Sequence, residues 1–484
     1  MKTNRETTMT LLNTMSSPFS RRSFVQGAGT SGAALSFGSL LGTTVGGGLL
    51  KADSQSAATD ERFFLTIYVQ GGMDPTYMFD SRPKAMTDAG KIQNYRTDEP
   101  TVWEGSNGQK SLASSLVAPL QPFKNDLLVM NGVLMAASFD GHDQNLNYLL
   151  TGNPFGGESF IPHLNSVGSR RPLDFIQSGS FFGLAASNNS AGVPLSVSST
   201  DALQKKLSRG AGFTPDSLVM RHARARMDAA AGGSGSFSRG TQEMIRNWPQ
   251  VFDVAGRVKA VDLSAIPVSE TNNEVKFTHL AMQAFKTGMT RCATIAIFGG
   301  FDVHDSQGAK TQPDKFTKFI GTFSKIMTSL RDTPYDATAG KSFLDVTTVL
   351  VASEFGRTMR QDGLAIDATG TDHNPLSNTI IMAGKGVRGG TVLGESDFAT
   401  ADETLSGAHK EKDQDSVKMM GRPFDVAAGT VRSDKPEEFK LGDYLTFAAI
   451  ANGLYESFGV DKSKHWLLER NGAVATPLRA AFRA

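Results

Sequence analysis

The chain of 484 residues contains a single cysteine, Cys292, and therefore cannot form an internal disulfide bond. Zinc ribbons and dithiol redox centres need at least two cysteines, so both are excluded. Cys292 lies within the apolar run CATIAIF, where a small buried thiol is expected.

The sequence also lacks an excess of charge of either sign. Its 49 Lys and Arg residues nearly balance its 48 Asp and Glu residues, and no block of like charge stands out. Nucleic acid is not expected as a partner, because binding it requires a basic surface. The uncharged segment after Gln26 is diluted by glycine, serine and threonine, so we expect no stable transmembrane anchor.

The first 52 residues differ in composition from the rest. Arg21 and Arg22, in SRRSFVQ, precede a weakly apolar, glycine-rich segment without charge. This order is typical of a twin-arginine (Tat) export signal, and a disordered basic tail is the alternative interpretation. The signal predicts a periplasmic or secreted protein that leaves the cytoplasm folded through the Tat machinery, so that a metal can be loaded before export.

Five short apolar runs predict buried β-strands: FFLTIYV (63–69), DLLVMNGV (126–133), CATIAIF (292–298), VTTVLVA (346–352) and NTIIMAG (378–384). Nearly continuous apolarity is typical of strands covered on both faces, as in a parallel sheet. Between the third and fourth runs, KFTKFIGTFSKIMTSL has apolar residues at helical spacing. We therefore predict an α/β fold, one domain over residues 60–484, with a helical insertion around 200–290.

Acidic residues and histidines cluster at the ends of these runs. The candidates are Asp74 after the first run, Asp140, His142 and Asp143 after the second, Asp302, His304 and Asp305 after the third, Glu354 and Arg357 after the fourth, and Asp372 and His373 before the fifth. In open α/β sheets, ligands bind beyond the carboxyl ends of the strands. We therefore predict one shared polar site along that edge.

The turn GGFDVHD, which follows the third run, favours a metal site. Its two glycines allow a sharp turn and a close approach to a ligand. Residues two apart on an extended chain point to the same side, so Asp302 and His304 can chelate one ion together. Carboxylate oxygen and imidazole nitrogen suit Zn, Mn or Fe better than Ca or Mg.

Structural roles compete with this interpretation, because loop acids often cap turns or pair with neighbours. The open alternatives are a cap for Asp74 or Asp140, a helix start at His142, an ion pair between Glu354 and Arg357, and orientation of His373 by Asp372. Under these alternatives the edge would be a hydrogen-bonded network that binds no metal.

Five motifs occur in a fixed order: GGMD, GHDQN, GGFDVHDSQ, SEFGRT and GTDHNPLSNTIIMAGKGVRGGTVLG. Together they resemble the DUF1501 family of exported bacterial proteins, which is placed with the alkaline phosphatase and sulfatase superfamily. The resemblance implies an alkaline-phosphatase-like α/β sandwich, with a mixed, mostly parallel central sheet and helices on both faces.

The resemblance also implies roles for individual residues, since the superfamily places two metals around a nucleophile at the strand ends. The implied assignments are one metal at Asp302, His304 and His373 and a second at Asp74 and Glu354. Beside such metals, the guanidinium of Arg357 is expected to bind an anionic oxygen pair, and His142 is expected to transfer protons as a general base. Phe355 departs from the superfamily pattern, which commonly has a histidine ligand there, and Gly141 stands where the family often has serine.

Two functions follow from these expectations. The first is an exported metal-dependent hydrolase of phosphate or sulfate esters, or of a related anionic substrate; without an evident hydroxyl nucleophile it would use a metal-activated water. The alternative is a non-catalytic periplasmic protein that retains the fold and binds a metal, a glycan or a partner. Phe355 and Gly141 favour the alternative, and the density of acids and histidines favours the hydrolase.

Overall fold

A computed structural model describes residues 61–85, 99–136, 141–168, 171, 173–178, 195–197, 221, 225, 257, 260–298, 300–359, 370–398, 419–434, 436, 439–468 and 472–483. The predicted export signal lies outside these residues, as does most of the predicted helical insertion. Both therefore stay predictions. Within the described part, no helix has the length and apolar character needed to cross a membrane.

The strands in chain order are β1 (Phe63–Gln70), β2 (Thr101–Glu104), β3 (Lys110–Ala113), β4 (Leu127–Met130), β5 (Ile176–Ser178), β6 (Leu195–Val197), β7 (Cys292–Phe298), β8 (Pro334–Asp336), β9 (Lys341–Ser342), β10 (Thr347–Ala352), β11 (Gly356–Arg357), β12 (His373–Asn374), β13 (Ile380–Gly384), β14 (Thr391–Leu393), β15 (Ser396–Phe398), β16 (Met419–Gly421), β17 (Phe424–Asp425) and β18 (Thr430–Val431). All five predicted strands are present, as β1, β4, β7, β10 and β13.

The described α-helices are α1 (His142–Thr151), α2 (Phe160–Asn165), α3 (Asn273–Lys286), α4 (Ser306–Lys310), α5 (Gln312–Asp332) and α6 (Phe447–Phe458). Short 3-10 helices cover Pro75–Tyr77, Ser115–Phe123, Leu263–Ala265, Leu441–Asp443, Lys462–Lys464 and Arg479–Ala481. Helix α5 is the amphipathic helix predicted between the third and fourth strands. Helix α3 lies within residues 200–290, where helical structure was expected, but it packs in the core beside the central sheet, and the insertion itself stays a prediction.

Eight strands form one central sheet in the order β14-β4-β13-β10-β1-β7-β5-β6. Five of the seven pairings are parallel, and β13 is antiparallel to both of its neighbours. This confirms the predicted α/β fold with a mostly parallel sheet. Because β13 begins at the edge where its neighbours end, the loop before β13 meets the loops that follow β1, β4, β7 and β10.

The sheet is covered on both faces, as the apolar strands predicted. In β1, Phe63 and Leu65 pack in one apolar core with helices α3 and α5. Phe64 and Tyr68, which point to the other side of the same strand, pack in a second core with α1, α2 and α6. Two cores of this size hold the strand ends, and therefore the edge loops, in fixed positions.

A pair of glycines ends β1 and lets three edge loops come together. Gly71 and Gly72 have φ angles of 108° and 85°, which side chains rarely adopt. A Cβ atom on Gly71 would lie 2.6 Å from the backbone nitrogen of Asp302, and one on Gly72 would lie 2.5 Å from the ring of Phe355. Only glycine permits this packing of the loops after β1, β7 and β10.

Only the second glycine of GGFDVHD, Gly300, is among the described residues. Gly300 has a φ of 65° and so supports the turn, but a Cβ atom there would meet only the end of the Lys315 side chain, at 3.4 Å. Gly299 lies outside the described residues. Sequence alone could not show that Gly71 and Gly72 would be in closer contact with other loops than Gly300, because the difference lies in which residues pack against each.

We expect Gly72→Ala to destabilise the protein more than Gly340→Ala does. Gly340 has a φ of 64° and open space where a Cβ atom would lie, so its substitution should cost only the strain of the positive φ, about 1–2 kcal/mol. Gly72→Ala adds a clash with Phe355, of about 1–3 kcal/mol. Urea unfolding measures both free energies of unfolding, and equal losses would contradict the proposed close packing.

Candidate metal centre

Three imidazoles and one carboxylate converge at the carboxyl edge of the sheet. His142 begins helix α1, Asp302 and His304 lie in the loop after β7, and His373 lies in β12, just before β13. Two sets of three ligand atoms, His142 with Asp302 and His373, and His304 with Asp372 and His373, each lie within 4.8 Å of one another. The structure thus brings together residues from distant parts of the sequence.

The four side chains contact one another through the atoms that bind metals. Asp302 Oδ1 lies 2.9 Å from His304 Nε2 and 3.7 Å from His373 Nε2. Asp302 Oδ2 lies 3.2 Å from His142 Nε2, and the Nε2 atoms of His304 and His373 are 3.2 Å apart. The side chains of Asp302 and His304 therefore point to the same side, as their spacing predicted.

This arrangement fits a transition metal. Two ligands that each bind Zn at about 2.0–2.1 Å with tetrahedral angles lie about 3.3 Å apart, close to the separations between these atoms. Imidazole nitrogen with one carboxylate oxygen is also the donor set that Zn, Mn and Fe favour over Ca and Mg. The residues present therefore fit the metal that the sequence implied.

Glu354 fixes the orientation of His142. Its carboxylate is buried and accepts hydrogen bonds from the backbone nitrogen of Gly71 at 2.8 Å and from Ser353 Oγ at 3.0 Å. Its Oε1 atom lies 2.8 Å from His142 Nδ1. With Nδ1 held in this way, Nε2 of His142 faces Asp302.

The contact between Glu354 and His142 changes the pKa of both groups. Partial burial of His142 disfavours its charged form, but the hydrogen bond and the charge of Glu354 outweigh burial and raise the pKa of His142. Burial likewise opposes ionisation of Glu354, yet the hydrogen bonds from His142 and from backbone N–H groups lower its pKa. Glu354 is therefore held as an anion inside the sheet.

Tyr68 also contacts Glu354, and the sequence patterns did not point to it. It donates a side-chain hydrogen bond to the carboxylate, and burial is the largest cause that raises its pKa well above the usual value. Tyr68 is buried and lies near the end of β1. A tyrosine near the end of a mostly apolar strand was the signal for this role, and it is a weak one.

Arg357 holds Asp302 in place instead of facing solvent. Its side chain has no exposed surface, and Nη2 donates to Asp302 Oδ1 and to the carbonyl oxygen of Gly71, while Nε donates to the same carbonyl at 3.0 Å. The predicted role of Arg357 in binding an anion therefore needs correction, because its guanidinium is directed at these two groups. Nη1 is buried with no hydrogen-bond partner among the described residues.

The guanidinium of Arg357 keeps Asp302 ionised. Partial burial raises the pKa of Asp302, but the hydrogen bond from Arg357 and the charges of Arg357, His142 and His304 outweigh it and lower the pKa to about 2. An ionised carboxylate is the form that binds a metal.

Phe355 packs against the imidazoles where the superfamily would have a further ligand. Its ring stacks on His373 with centroids 4.4 Å apart and lies 4.8 Å from the ring of His142. The ring is buried. Phe355 therefore restricts the rotamers of both histidines.

The remaining candidate acids have local contacts. Asp74 is buried and caps the 3-10 helix Pro75–Tyr77, accepting from the nitrogen and hydroxyl of Thr76 at 2.9 and 2.7 Å. Asp305 caps α4. Asp372 accepts from the backbone nitrogen of its neighbour His373 at 2.8 Å and lies 3.6 Å from His304 Nδ1. These are the structural roles that the alternatives proposed for loop acids.

Three other predictions concern the Glu354–Arg357 ion pair, Asp143 and Asp140. Glu354 and Arg357 do not pair with each other; they bind His142 and Asp302, respectively. Asp143 is exposed in the first turn of α1. Asp140 lies outside the described residues.

One protein family matches the part of the chain that contains most residues of the candidate metal centre. The family described as "Protein of unknown function (DUF1501)" matches residues 175–413. Residues 175–413 belong to the DUF1501 family. This DUF1501 region contains Asp302, His304, Glu354, Arg357 and His373, while the GGMD and GHDQN motifs precede it.

The curated proteins contain no match to this sequence. Among solved structures, the chain is similar to the C-terminal periplasmic domain of EcEptC from Escherichia coli, with 8% identity, 88% of this chain and 89% of that chain covered, and a TM-score of 0.35. Lipoteichoic acid synthase LtaP from Listeria monocytogenes has 8% identity, coverage of 74% and 73%, and a TM-score of 0.28. Alkaline phosphatase from the Antarctic bacterium TAB5 has 9% identity, coverage of 67% and 92%, and a TM-score of 0.28.

We expect Arg357→Met to destabilise the protein by about 1.5–3 kcal/mol, because a buried, charged hydrogen-bond donor is lost from Gly71 and Asp302. Arg479→Met is the matched control: Arg479 forms a bidentate pair with Glu456 but is 70% exposed, and should lose about 0–1 kcal/mol. Urea unfolding measures both. Equal losses would show that Arg357 does not anchor the centre.

Proposed function

We propose that this protein is an exported, metal-dependent hydrolase of phosphate or sulfate esters, or of a related anionic substrate. The convergence of His142, Asp302, His304 and His373 carries this proposal. Three of these side chains stay open to solvent: His142 is 35% exposed, His304 40% and Asp302 44%. Structural metal sites are usually closed by their protein ligands, whereas catalytic sites keep one position open.

Within this proposal, Asp302, His304 and His373 hold the metal. A divalent Zn, Mn or Fe ion bound there would act as a Lewis acid and lower the pKa of a bound water. Arg357 fixes the rotamer of Asp302, and Phe355 fixes the ring of His373. These contacts hold the ligands in place before the metal binds.

His142 is the residue we assign to proton transfer. Glu354 accepts a hydrogen bond from Nδ1, which leaves the lone pair on Nε2, a buried atom without a hydrogen-bond partner among the described residues, directed toward Asp302. In the neutral state, Nε2 can accept a proton from the attacking water and then donate it to the departing oxygen. A carboxylate behind an imidazole favours this cycle, because it stabilises the imidazolium that forms in between.

The substrate class rests on the resemblance of the motifs to the alkaline phosphatase and sulfatase superfamily. The charges at the centre are compatible with an anion, since Arg357 neutralises Asp302 and a divalent ion would add positive charge. Export rests on Arg21 and Arg22 and on the segment that follows them. The substrate class and the export of the protein are both parts of the proposal.

Two observations favour the alternative, a periplasmic protein that binds a metal, a glycan or a partner without catalysis. Phe355 lies where a further imidazole ligand would be expected. Among the described residues, Asp74 and Glu354 belong to neither set of clustered ligand atoms, so the second metal of the superfamily has no evident site. A single metal centre is therefore the form in which we propose the hydrolase.

Metal content and ester hydrolysis test the proposal directly. We expect the purified protein to contain Zn, Mn or Fe and to hydrolyse aryl phosphate or aryl sulfate esters, and chelation to abolish the activity. Asp302→Ala should lower both metal affinity and activity by more than about a hundredfold, because losing a ligand exceeds the effect of an outer-shell partner. His279→Ala, which removes a histidine of α3 outside the site, is the control.

The outcomes separate the candidate functions. Bound metal without turnover on a broad panel of esters would favour the binding protein. A preparation without stoichiometric metal, in which Asp302→Ala changes nothing, would exclude the hydrolase and a metal-binding protein and would favour a structural network.

Glu354→Gln tests the positioning of His142. The amide keeps the shape of the side chain but loses the charge that holds Nδ1, so we expect activity to fall about 10–100-fold, as for other outer-shell partners. Asp143→Asn is the matched control, since Asp143 is exposed on the same turn as His142 and should be neutral. Circular dichroism and metal titration would accompany the rate measurements. Unchanged activity in Glu354→Gln would contradict the assigned role.

A further inference from the structure

A cavity separate from the metal centre lies at the β14 edge of the central sheet. Its volume is about 600 Å³, within the range typical of sites for small organic ligands. The walls come from the turn between β2 and β3, from β14, and from the hairpin of β17 and β18. The cavity shares none of its described lining residues with the metal centre.

Thr391, the first residue of β14, has an unsatisfied hydroxyl group in this wall. The residue is 3% exposed, and its Oγ1 has no hydrogen-bond partner among the described residues. Buried hydroxyl groups nearly always have a partner, because an unpaired one costs free energy. The nearby amide of Asn107 does not serve it, since Asn107 Nδ2 donates to the carbonyl of Val392 at 2.7 Å. Because Thr391 lines the cavity, its hydroxyl keeps its hydrogen-bonding capacity for a ligand there.

Two arginines in the lining are fixed by carboxylates. Arg432 is bound by Asp434 and by Asp443, the latter at 2.7 Å. Arg422 pairs with Glu395 at 3.0 Å. These pairs hold both guanidinium groups in place and largely neutralise them.

Arg388 supplies the positive charge that is left. The one described hydrogen bond of its side chain runs from Nη2 to the carbonyl oxygen of Phe482 at 3.4 Å, so Nε and Nη1 keep their donor capacity. Arginine binds carboxylate and phosphate oxygens through two N–H groups at once. Arg388 and Thr391 thus offer a charged fork and a hydroxyl to one ligand.

We propose that this cavity binds a small, hydroxyl-rich oxyanion, with Arg388 on its carboxylate or phosphate group and Thr391 on a neighbouring oxygen. The residues described in its lining include no aromatic side chain, so a ligand held by ring stacking does not fit. The site is independent of ester hydrolysis at the metal centre.

Three sugars of similar size test this site by isothermal titration of the full chain, with Asp302→Ala titrated in parallel, because glucose 6-phosphate is itself a phosphate ester of the class proposed for the metal centre. Glucuronate carries a carboxylate, glucose 6-phosphate a phosphate, and glucose no charge. We expect at least one of the two anions to bind with a Kd below about 1 mM, and glucose at least about tenfold more weakly. The stronger of the two anions identifies the acid group that the cavity prefers. Binding of glucose as tight as that of the anions, or no binding by either anion, would overturn the proposal.

Two variants assign the contacts. Arg388→Gln and Thr391→Val should each weaken binding of the preferred anion at least about tenfold. Thr391→Val replaces an unpaired hydroxyl by a methyl group of the same shape, so the midpoint of thermal unfolding should not fall. Asp302→Ala is the control at the metal centre and should leave binding unchanged. Unaltered binding in both cavity variants, or its loss in Asp302→Ala, would contradict an independent site.

Discussion

The hydrogen bonds of the buried Arg357 guanidinium to Asp302 and to the carbonyl oxygen of Gly71 hold the candidate centre together. A guanidinium without exposed surface has lost its hydration and needs strong acceptors in return. A carboxylate from the loop after β7 and a carbonyl from the end of β1 supply them. The same contacts fix Asp302 where His142 and His304 reach it, so the position of the candidate ligands depends on a buried interaction.

The direction of β13 is the second constraint. Were β13 parallel to β10, the segment that precedes it would lie at the opposite edge of the sheet, far from the ends of β1, β7 and β10. Since β13 is antiparallel, His373 reaches the centre from the loop that enters the sheet. His373 therefore precedes β13 in the sequence, whereas Asp302 and His304 follow β7.

Sequence patterns predicted the parts of this structure that depend on local periodicity. The five apolar runs, helix α5 and the common side of Asp302 and His304 follow from the spacing of side chains along a strand or helix. The partners of Glu354 and Arg357 could not be predicted, because both choices depend on how loops distant in sequence pack. The same holds for Gly71 and Gly72, whose role is visible only once Asp302 and Phe355 lie against them.

The hydrogen bonds that the Glu354 carboxylate accepts favour one metal instead of two. In a two-metal site this carboxylate would have to turn toward the second ion, but it is buried among donors from Gly71, Ser353 and His142. Turning it away would leave those donors unpaired and release the imidazole that they help to orient. The stacked ring of Phe355 offers no ligand atom in compensation. Within the proposed hydrolase, a carboxylate that orients His142 supports a general base, and a centre with one metal is the form that agrees with these contacts of Glu354.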